Sequence, residues 1–435
     1  MSRAAGGARY GYGRLRAMSL DLSEEEKGIA AGSRGEGAAM AMRILAEMGR
    51  LLGAPRLIPV LSAHIDGALY HGDSGVHFAE RLVAGGAKVA IPSSLNVGGL
   101  DLLHPGTVKA DAHRYEMARR LMEAYGAMGC WQTWTCSPYH AGHRPAAGTD
   151  VAWGESNAVA FCNSVLGART NRYGDFLDIC CAVTGRAPCY GLHRAENRRA
   201  TVLIDTSALS QRLKRADVFY PVLGCWYGLE IGTEIGVIDG LPADISEDCL
   251  KALAASAASS GAVGLFHVAG RTPEAPTIEA AGGGVAPARI IRLTPGMLES
   301  ARDRLSTSKG AGIDAVALGS PHFSLAEFDA LEALLQGGRL AVPFYVCTGR
   351  NVVAELEEQD RLARFSEAGI TIVADTCVVV APILPSKSGV LMTNSGKFAH
   401  YTPANTGYEV IYGSLADCVA SAATGRLARD ESLWQ

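Results

Sequence analysis

Short apolar runs alternate with longer amphipathic stretches through most of the chain, and this alternation restricts the fold more than any other feature. In the second half, apolar runs occupy residues 263–268, 290–293, 315–318, 341–347 and 370–380, and helical patterns occupy 325–335 and 352–367. In the first half, strand patterns at 56–65 and 88–92 accompany helical patterns at 35–52, 107–128 and 157–166. Such alternation is typical of a parallel sheet covered by helices on both faces. The sequence therefore predicts an α/β protein.

The length of the chain predicts more than one lobe. A single hydrophobic core rarely extends over 435 residues. The best-marked linker is the glycine-rich stretch AAGGGVA at 280–286. We predict a first α/β lobe over 18–205, a second over 206–285 and a C-terminal lobe over 286–435. Residues 1–17 are rich in Gly, Arg and Tyr, and they are predicted to be a disordered extension.

Charge and hydropathy exclude several classes of partner. The formal net charge is −4 and basic residues form only short pairs, so no nucleic-acid surface is expected. No apolar run approaches the roughly 18 residues that a membrane span needs, and the first residues lack the apolar core of a secretory signal. Neither a P-loop nor a dinucleotide-binding glycine motif follows a strand. We predict a cytoplasmic protein that binds neither nucleic acid nor membrane.

The eleven cysteines are predicted to be mostly reduced thiols, because the chain shows no secretion signal. Three of them are candidate iron ligands: Cys136 in TWTCSPYH, Cys347 in AVPFYVC and Cys377 in ITIVADTCVVV. Cys347 and Cys377 stand near strand ends, where open α/β sheets build ligand sites. Three such thiolates could hold an iron–sulfur cluster or a single iron. Cys180 and Cys181 are reserve ligands, whereas buried packing accounts for Cys162, Cys225, Cys249 and Cys418.

Polar side chains gather in four further segments. In WGESN, the residues Glu155, Ser156 and Asn157 precede a helix, where they either cap it or bind an anion. The strand-end segments SAHIDG and SSLNVGGLD are equally compatible with ordinary turns and with ligand-binding loops. The segment MTNSGKFAHYTP is dense in different polar groups, which favours binding of a polyfunctional small molecule. The histidines show no helical i, i+4 pairing, so no histidine zinc site is predicted.

Ten segments in chain order, from about residue 20 to 425, together resemble the aconitase X family. They are SAHIDG, PSSLNVGGLD, TWTCSPY, GESNAVAFCNSVLGARTNR, TGRAPCYGLH, HVAGRTPEAPT, VALGSPHFS, CTGR, ADTCVVVAP and MTNSGKFAHY. A collinear set of this length is far more specific than any one segment. The chain is similar to the large subunit of this family, of the cis-3-hydroxy-L-proline dehydratase type.

The resemblance implies an aconitase-like large subunit in which several α/β/α lobes surround a central cleft with an iron centre. The family's ligand cysteines match Cys136, Cys347 and Cys377, and the centre is expected to be a 2Fe-2S cluster, a 4Fe-4S cluster or mononuclear iron. The implied enzyme is a hydro-lyase that removes water from a small hydroxy acid. A separate small subunit, the swivelling domain, is expected to close over the cleft.

The same resemblance suggests roles for the polar residues. Ser94, Asn157 and Lys397 are candidate catalytic residues, and the catalytic base stays open. Arg350 and Lys397 are candidates to bind the substrate carboxylate, for which a guanidinium offers bidentate geometry. The remaining predicted substrate contacts are His64, Asn96, Asp101, Glu155, Ser156, Asn394 and Ser395.

Several alternatives to this function stay open. Dehydration of cis-3-hydroxy-L-proline to 1-pyrroline-2-carboxylate is the favoured reaction, and dehydration of mevalonate 5-phosphate is its main rival. A non-catalytic scaffold or redox-sensing subunit would bind no iron. A cofactor-free enzyme with a cysteine nucleophile would be inactivated by alkylation but not by chelators.

Overall fold

The computed structural model of the protein describes residues 19–335 and 337–434. Three of the four sheets in these residues are parallel and their strands alternate with helices, so the prediction of an α/β fold is confirmed. The extension predicted at 1–17 lies outside the described residues. Within the described part of the chain, no helix is both long and apolar enough to cross a membrane.

Five short strands form the framework of the first part of the chain: β1 (Leu57–Pro59), β2 (Ala63–Ile65), β3 (Ser93–Leu95), β4 (Ala152–Trp153) and β5 (Arg186–Pro188). β2 lies between β3 and β4 in a parallel sheet, and β1 pairs with β5 antiparallel. The helices are α1 (Glu24–Ala30), α2 (Glu36–Leu51), α3 (Asp73–Ala84), α4 (Ala112–Ala127), α5 (Ser156–Phe161) and α6 (Leu177–Thr184). Ser23 and Glu26 form a capping box that begins α1.

The second part contains one parallel sheet in the order β8-β7-β6-β9. Its strands are β6 (Val202–Asp205), β7 (Gly236–Asp239), β8 (His267–Val268) and β9 (Arg289–Arg292). Its helices are α7 (Gln211–Lys214), α8 (Phe219–Glu230), α9 (Glu247–Gly261), α10 (Ile278–Ala281) and α11 (Pro295–Arg304). Because β9 pairs with β6, a boundary at residue 285 would separate β9 from its partner strand.

The third part contains a five-stranded parallel sheet in the order β12-β11-β10-β13-β14. Its strands are β10 (Ala315–Phe323), β11 (Phe344–Thr348), β12 (Ile370–Ala374), β13 (Val390–Thr393) and β14 (Glu409–Tyr412). Its helices are α12 (Leu325–Leu334), α13 (Arg350–Glu358), α14 (Leu362–Glu367), α15 (Gly396–Thr406) and α16 (Leu415–Thr424). The central strand β10 is buried along its whole length, as expected for a parallel sheet covered on both faces.

Several predicted elements differ from the structure. The strand at 56–65 divides into β1 and β2, which belong to different sheets, and the strand at 370–380 ends with β12 at Ala374. No strand forms at 88–92, because the N–H groups of Val89 and Ala90 donate to the carbonyls of Met128 and Ala182, which lie outside any strand. The strand predicted at 263–268 shrinks to β8, since the carbonyl of Gly264 accepts a hydrogen bond from the Asn163 side chain. The helix predicted at 352–367 breaks at Asp360, which has a left-handed φ of 56°.

The three parts share their hydrophobic cores. One core joins the first part to residues of the third sheet and its loops, including Cys347 and Cys377. Another joins α5 to the helices α8 and α9 of the second part. The carboxyl ends of strands from the first and third sheets therefore lie at a common junction, where ligand sites of α/β proteins are built.

Candidate active site

A cavity of about 440 Å³ opens at this junction. The loops after β2, β3 and β4 contribute Asp66, Asn96 and Glu155 to its wall. Cys136, Cys377 and Lys397 reach the same cavity from other segments. A second cavity, of about 510 Å³, is bordered by Asn394 and Ser395, and Ser320 borders both. We place the chemistry in the first cavity because two of the three predicted ligand cysteines, Cys136 and Cys377, border it and none of them borders the second.

Asp66, Asn96 and Glu155 form one layer of the cavity wall. In the sheet, His64 on β2 pairs with Ser94 on β3 and with Trp153 on β4. Asp66, Asn96 and Glu155 each come two positions after one of these residues. Side chains two positions apart in extended chain point to the same face. Asn96 Nδ2 donates to Asp66 Oδ1, which joins the first two members of the layer.

Within this layer, Asp66 is the side chain with a pKa near neutral pH. Burial, together with the nearby carboxyls of Glu155 and Asp175, raises the pKa of Asp66 to about 7. The hydrogen bond from Asn96 and the positive charge of Lys397 act in the opposite direction. A carboxyl with a pKa near neutrality is suited to accept and release a proton.

Lys397 connects the carboxyl layer with the cysteine segment. Its ammonium group donates to Glu155 Oε1 and, over 2.8 Å, to Asn157 Oδ1. Asn157 Nδ2 in turn donates to the carbonyl of Cys136 over 2.9 Å. Although burial disfavours the ammonium form, Glu155 and the Cys136 thiol raise the pKa of Lys397 above its usual value. Lys397 is therefore a fixed positive charge between Glu155 and Cys136.

The turn that carries Glu155 is strained. Glu155 has a φ of 66°, a conformation that side chains other than glycine adopt at a cost of about 1–3 kcal/mol. Its carboxylate caps α5 by accepting from the Ala158 N–H over 2.8 Å. The preceding Gly154 allows close packing, because a Cβ there would lie 2.8 Å from Asp178 Oδ2 and 2.9 Å from Asp66 Cβ. The hydrogen bond from Ala158 and the close packing at Gly154 thus fix the position of the Glu155 carboxylate, which pairs with Lys397.

The three predicted ligand cysteines lie together and are buried. Burial raises the pKa of Cys136 to about 11 and, with the neighbouring Cys136, that of Cys377 to about 12. Burial and the nearby Cys377 also raise the pKa of Cys347. Each sulfur interacts with a backbone N–H group that favours its thiolate: those of His322, Val378 and Val379 act on Cys136, Cys347 and Cys377.

These thiols fit an iron centre. Several buried thiolates in proximity require a cation, and N–H donors to sulfur are a usual feature of iron–sulfur sites. Among residues 19–335 and 337–434, no three His, Cys, Asp or Glu side chains are arranged to enclose a single ion. In a cluster the thiolates bind different irons, so they need not converge on one point. Cys180 and Cys181, the reserve ligands, are buried in α6 and do not border the cavity.

His322 links the segments of two of these cysteines, and the sequence did not single it out. Its N–H donates to Cys136 Sγ over 3.3 Å. Its ring lies 2.9 Å from Thr135 Oγ1 and 3.3 Å from the carbonyl of Thr376, the residues next to Cys136 and Cys377. Burial lowers the pKa of His322 to about 3, so the ring is a neutral spacer.

Three predicted site residues serve the backbone or another side chain instead. Arg350 makes a bidentate ion pair with Asp375, at 2.9 and 2.7 Å, and does not border the cavity. Asp101 accepts hydrogen bonds from the N–H groups of Leu103, His104 and Ala374. Ser395 caps α15 and donates to the carbonyl of Ser320. Neither a free guanidinium at 350 nor a free carboxylate at 101 is available to a substrate in the cavity.

Ser94 and His64 lie beneath the cavity wall. Ser94 Oγ is 2.8 Å from His64 Nδ1 and 2.7 Å from His143 Nδ1, and all three side chains are buried. Burial lowers the pKa of His64, and it lowers that of His143 to about 4. Two neutral imidazole rings joined by one hydroxyl form a structural bridge. The Trp153 ring packs against both, with its centroid 5.6 Å from that of His64 and 5.1 Å from that of His143.

Ser94→Ala is expected to lower the free energy of unfolding by about 1–3 kcal/mol, because two buried imidazole nitrogens lose their partner. Urea denaturation measures this loss. Ser93→Ala is the matched control, since the Ser93 hydroxyl donates only to the carbonyl of Ile91 on the other face of β3. A Ser94→Ala protein as stable as the Ser93→Ala protein would contradict the bridge.

Asp66 and Arg172 are among the cavity residues that the sequence did not identify. Asp66 stands in SAHIDG, and a carboxylate directly after a buried strand was a usable signal. Arg172 borders the cavity, and its guanidinium makes a single 3.4 Å contact, with the carbonyl of Ala258, among the described residues. Its position in an irregular loop gave no pattern from which to predict it.

Comparison with known proteins agrees with this site. Family models for the aconitase X first, second and third domains match residues 19–196, 200–303 and 313–424. A cis-3-hydroxy-L-proline dehydratase from Pseudomonas aeruginosa is 43% identical over 95% of this chain and 72% of the relative. The enzyme of the same name from Hypocrea jecorina is 38% identical over 94% of this chain and 69% of its own length.

An archaeal relative and a crystal structure extend the comparison. The phosphomevalonate dehydratase large subunit of Methanothermobacter thermautotrophicus is 37% identical over 90% of this chain and 96% of its own. The crystal structure of Thermococcus kodakaraensis aconitase X in its holo-form matches with a TM-score of 0.83 at 33% identity, over 92% of this chain and all of that one. The named relatives are dehydratases, so the prediction of a hydro-lyase is confirmed. The chain belongs to the aconitase X family, as its sequence motifs predicted.

Proposed function

We propose that this chain dehydrates cis-3-hydroxy-L-proline to the enamine that becomes 1-pyrroline-2-carboxylate. The observation that carries the proposal is the cavity itself. It brings a carboxyl of near-neutral pKa, Asp66, and the cations Arg172 and Lys397 to one wall with the thiols Cys136 and Cys377. The likeness to two enzymes of that name over most of the chain supports the substrate.

We further propose that Cys136, Cys347 and Cys377 hold an iron–sulfur cluster of the 2Fe-2S or 4Fe-4S type, because the described side chains are not arranged to enclose a single iron. When bound, an iron with an open coordination position supplies Lewis acidity towards the leaving hydroxyl. The fixed charge of Lys397 beside Cys136 offsets part of the negative charge that three thiolates bring into a buried place.

The chain's own residues bind and deprotonate the substrate. Arg172 binds the substrate carboxylate, since its guanidinium makes only one long hydrogen bond among the described residues. Arg350 cannot do so, because its guanidinium is paired with Asp375. Asp66, once ionised, accepts the α-proton on its carboxylate oxygen. Lys397 orients the substrate's polar groups beside Cys136. Asn157 does not border the cavity, and its amide instead holds Lys397 and the carbonyl of Cys136 in place.

The charges of the cavity favour the imino acid over mevalonate 5-phosphate. Asp66, Glu155 and Asp175 border the cavity together with Arg172 and Lys397. Lys397 is already paired with Glu155. A phosphate dianion that also carries a carboxylate would meet mostly like charge, whereas the ring ammonium of hydroxyproline can approach a carboxylate.

A direct comparison of the two substrates tests this preference. The protein is purified under argon together with its small partner, and kcat/KM is measured with cis-3-hydroxy-L-proline and with mevalonate 5-phosphate. We expect hydroxyproline to be preferred by more than about 100-fold, because unpaired polar groups in the site penalise the wrong substrate. Equal or faster turnover of mevalonate 5-phosphate would reject the assignment.

We also propose that a separate small subunit completes the enzyme. The chain spans 72% and 69% of the two hydroxyproline dehydratases, but 96% of the archaeal protein that is named a large subunit. A cytoplasmic location agrees with the cysteines, all of which are free thiols. Co-purification with a protein encoded beside it, under argon, would reveal the partner and the iron content together.

A further inference from the structure

A second buried carboxyl, that of Asp178, lies directly behind Asp66. Asp178 is fully buried in the first turn of α6. Its Oδ2 accepts the backbone N–H of Asp66 over 2.6 Å and that of Gly67 over 3.3 Å. Its Oδ1 accepts the N–H of Ile179 over 2.6 Å. The side chain thus fixes the peptide that carries Asp66, across 112 residues of sequence.

The surroundings are shaped to permit this contact. Gly154 leaves the space that Asp178 Oδ2 occupies, because a Cβ on residue 154 would lie 2.8 Å from that oxygen and 3.1 Å from the nitrogen of Asp66. On the other side, a Cβ on Gly67 would lie 2.6 Å from the hydroxyl of Tyr125. Gly154 therefore opens the close approach between α6 and the loop after β2, and Gly67 opens the approach of Tyr125 from α4 to the same loop.

Burial, with the nearby carboxyls of Asp175 and Asp66, raises the pKa of Asp178 to about 8, although the N–H groups of Asp66 and Ile179 favour its charged form. Asp66 receives a side-chain donor from Asn96. Other charged groups around the pair are Asp175 in the loop before α6, Glu155 after β4 and Lys397 on α15. On the side of α4, the neutral Tyr125 and Cys130 face Asp178, and Cys180 does so within α6.

We propose that Asp178 is a positioning residue that clamps the Asp66 peptide and so holds the Asp66 carboxyl at its place in the cavity. This inference rests on the proposed role of Asp66 as the acceptor of the α-proton. Asp178 does not border the cavity, so it acts through Asp66 and not on the substrate.

Two substitutions test the clamp. Asp178→Ala removes the acceptor of the Asp66 N–H, and we expect kcat to fall about 100-fold with KM little changed, because the proton acceptor is misplaced. Asp178→Asn keeps an oxygen acceptor for that N–H, and we expect it to restore kcat to within about tenfold of wild type. Urea denaturation shows whether both variants stay folded.

Asp101→Ala is the matched control, because Asp101 is also a buried carboxyl that accepts three backbone N–H groups in a strand-end loop. A merely structural role for Asp178 would make Asp178→Ala and Asp101→Ala lose activity alike, with no rescue by Asp178→Asn, and that result would overturn the inference. The ¹³C NMR signal of the Asp66 carboxyl, assigned with Asp66→Asn, should move in Asp178→Ala and return towards its wild-type position in Asp178→Asn, without turnover. If Asp66→Asn keeps full activity while that signal moves in Asp178→Ala, the proposed function fails and the clamp stands.

Discussion

Serine in place of Cys136, Cys347 or Cys377 is expected to reduce dehydratase activity by about 1,000-fold or more. A lost ligand removes an interaction of several kcal/mol with the leaving group, and each 1.36 kcal/mol corresponds to a factor of ten. The three thiols come from different segments, so each substitution tests a separate part of the centre. Iron and sulfide content, measured under argon together with the ultraviolet-visible spectrum, should fall in parallel with activity.

Cys418→Ser provides the control for the loss of a buried thiol as such. Cys418 is buried in α16, within the core of the third sheet and outside the cavity. We expect this variant to keep its iron and its activity, with at most a modest loss of stability. Full iron content and full activity in all three ligand variants would reject these cysteines as the ligands, and a fully active wild-type protein without iron would favour a cofactor-free function.

Lys397→Met is expected to have the second largest effect. The substitution leaves the carboxylate of Glu155 buried without its cation, and breaking a buried ion pair on one side costs about 3–5 kcal/mol. The same change frees Asn157, which holds the carbonyl of Cys136. We therefore expect a lower midpoint of urea unfolding together with a fall of about 100-fold in kcat/KM.

Lys387→Met is the matched control, because Lys387 is exposed on the surface. It should behave as wild type in both measurements. The double variant Lys397→Met with Glu155→Gln separates the two consequences. Removing the stranded charge should restore most of the stability, whereas activity should stay low. A Lys397→Met protein with wild-type stability and turnover would show that the ion pair does not support the site.

The sequence predicted the α/β fold and the meeting of the three cysteines, because both follow from rules that act along the chain. Alternating apolar patterns predict parallel strands, and the carboxyl ends of parallel strands share an edge. Strand ends therefore identified Cys347 and Cys377 before any contact was known. The same rule pointed to the loops that contain Asp66 and Asn96, although the residue singled out after β2 was His64.

The sequence did not predict which side chains pair with each other across the fold. The sequence suggested that Arg350 binds the substrate carboxylate. In the structure its guanidinium instead pairs with Asp375, which lies at the end of the neighbouring strand. Asp101 and Asp66 look alike in sequence, since both are carboxylates in strand-end loops. They differ because backbone N–H groups saturate one of them, whereas the other faces a cavity. Such distinctions depend on long-range contacts that spacing does not record.

The layer formed by Asp66, Asn96 and Glu155 makes the site depend on strand length as well as on residue identity. Asp66 and Asn96 each stand two positions beyond the matched pair His64 and Ser94, and Glu155 stands two positions beyond Trp153 in a left-handed turn. Inserting or deleting one residue within β2 or β3 would turn Asp66 or Asn96 to the opposite face of the sheet. A laboratory library built on this chain can therefore vary the lengths of surface loops, but must keep the number of residues in these strands constant.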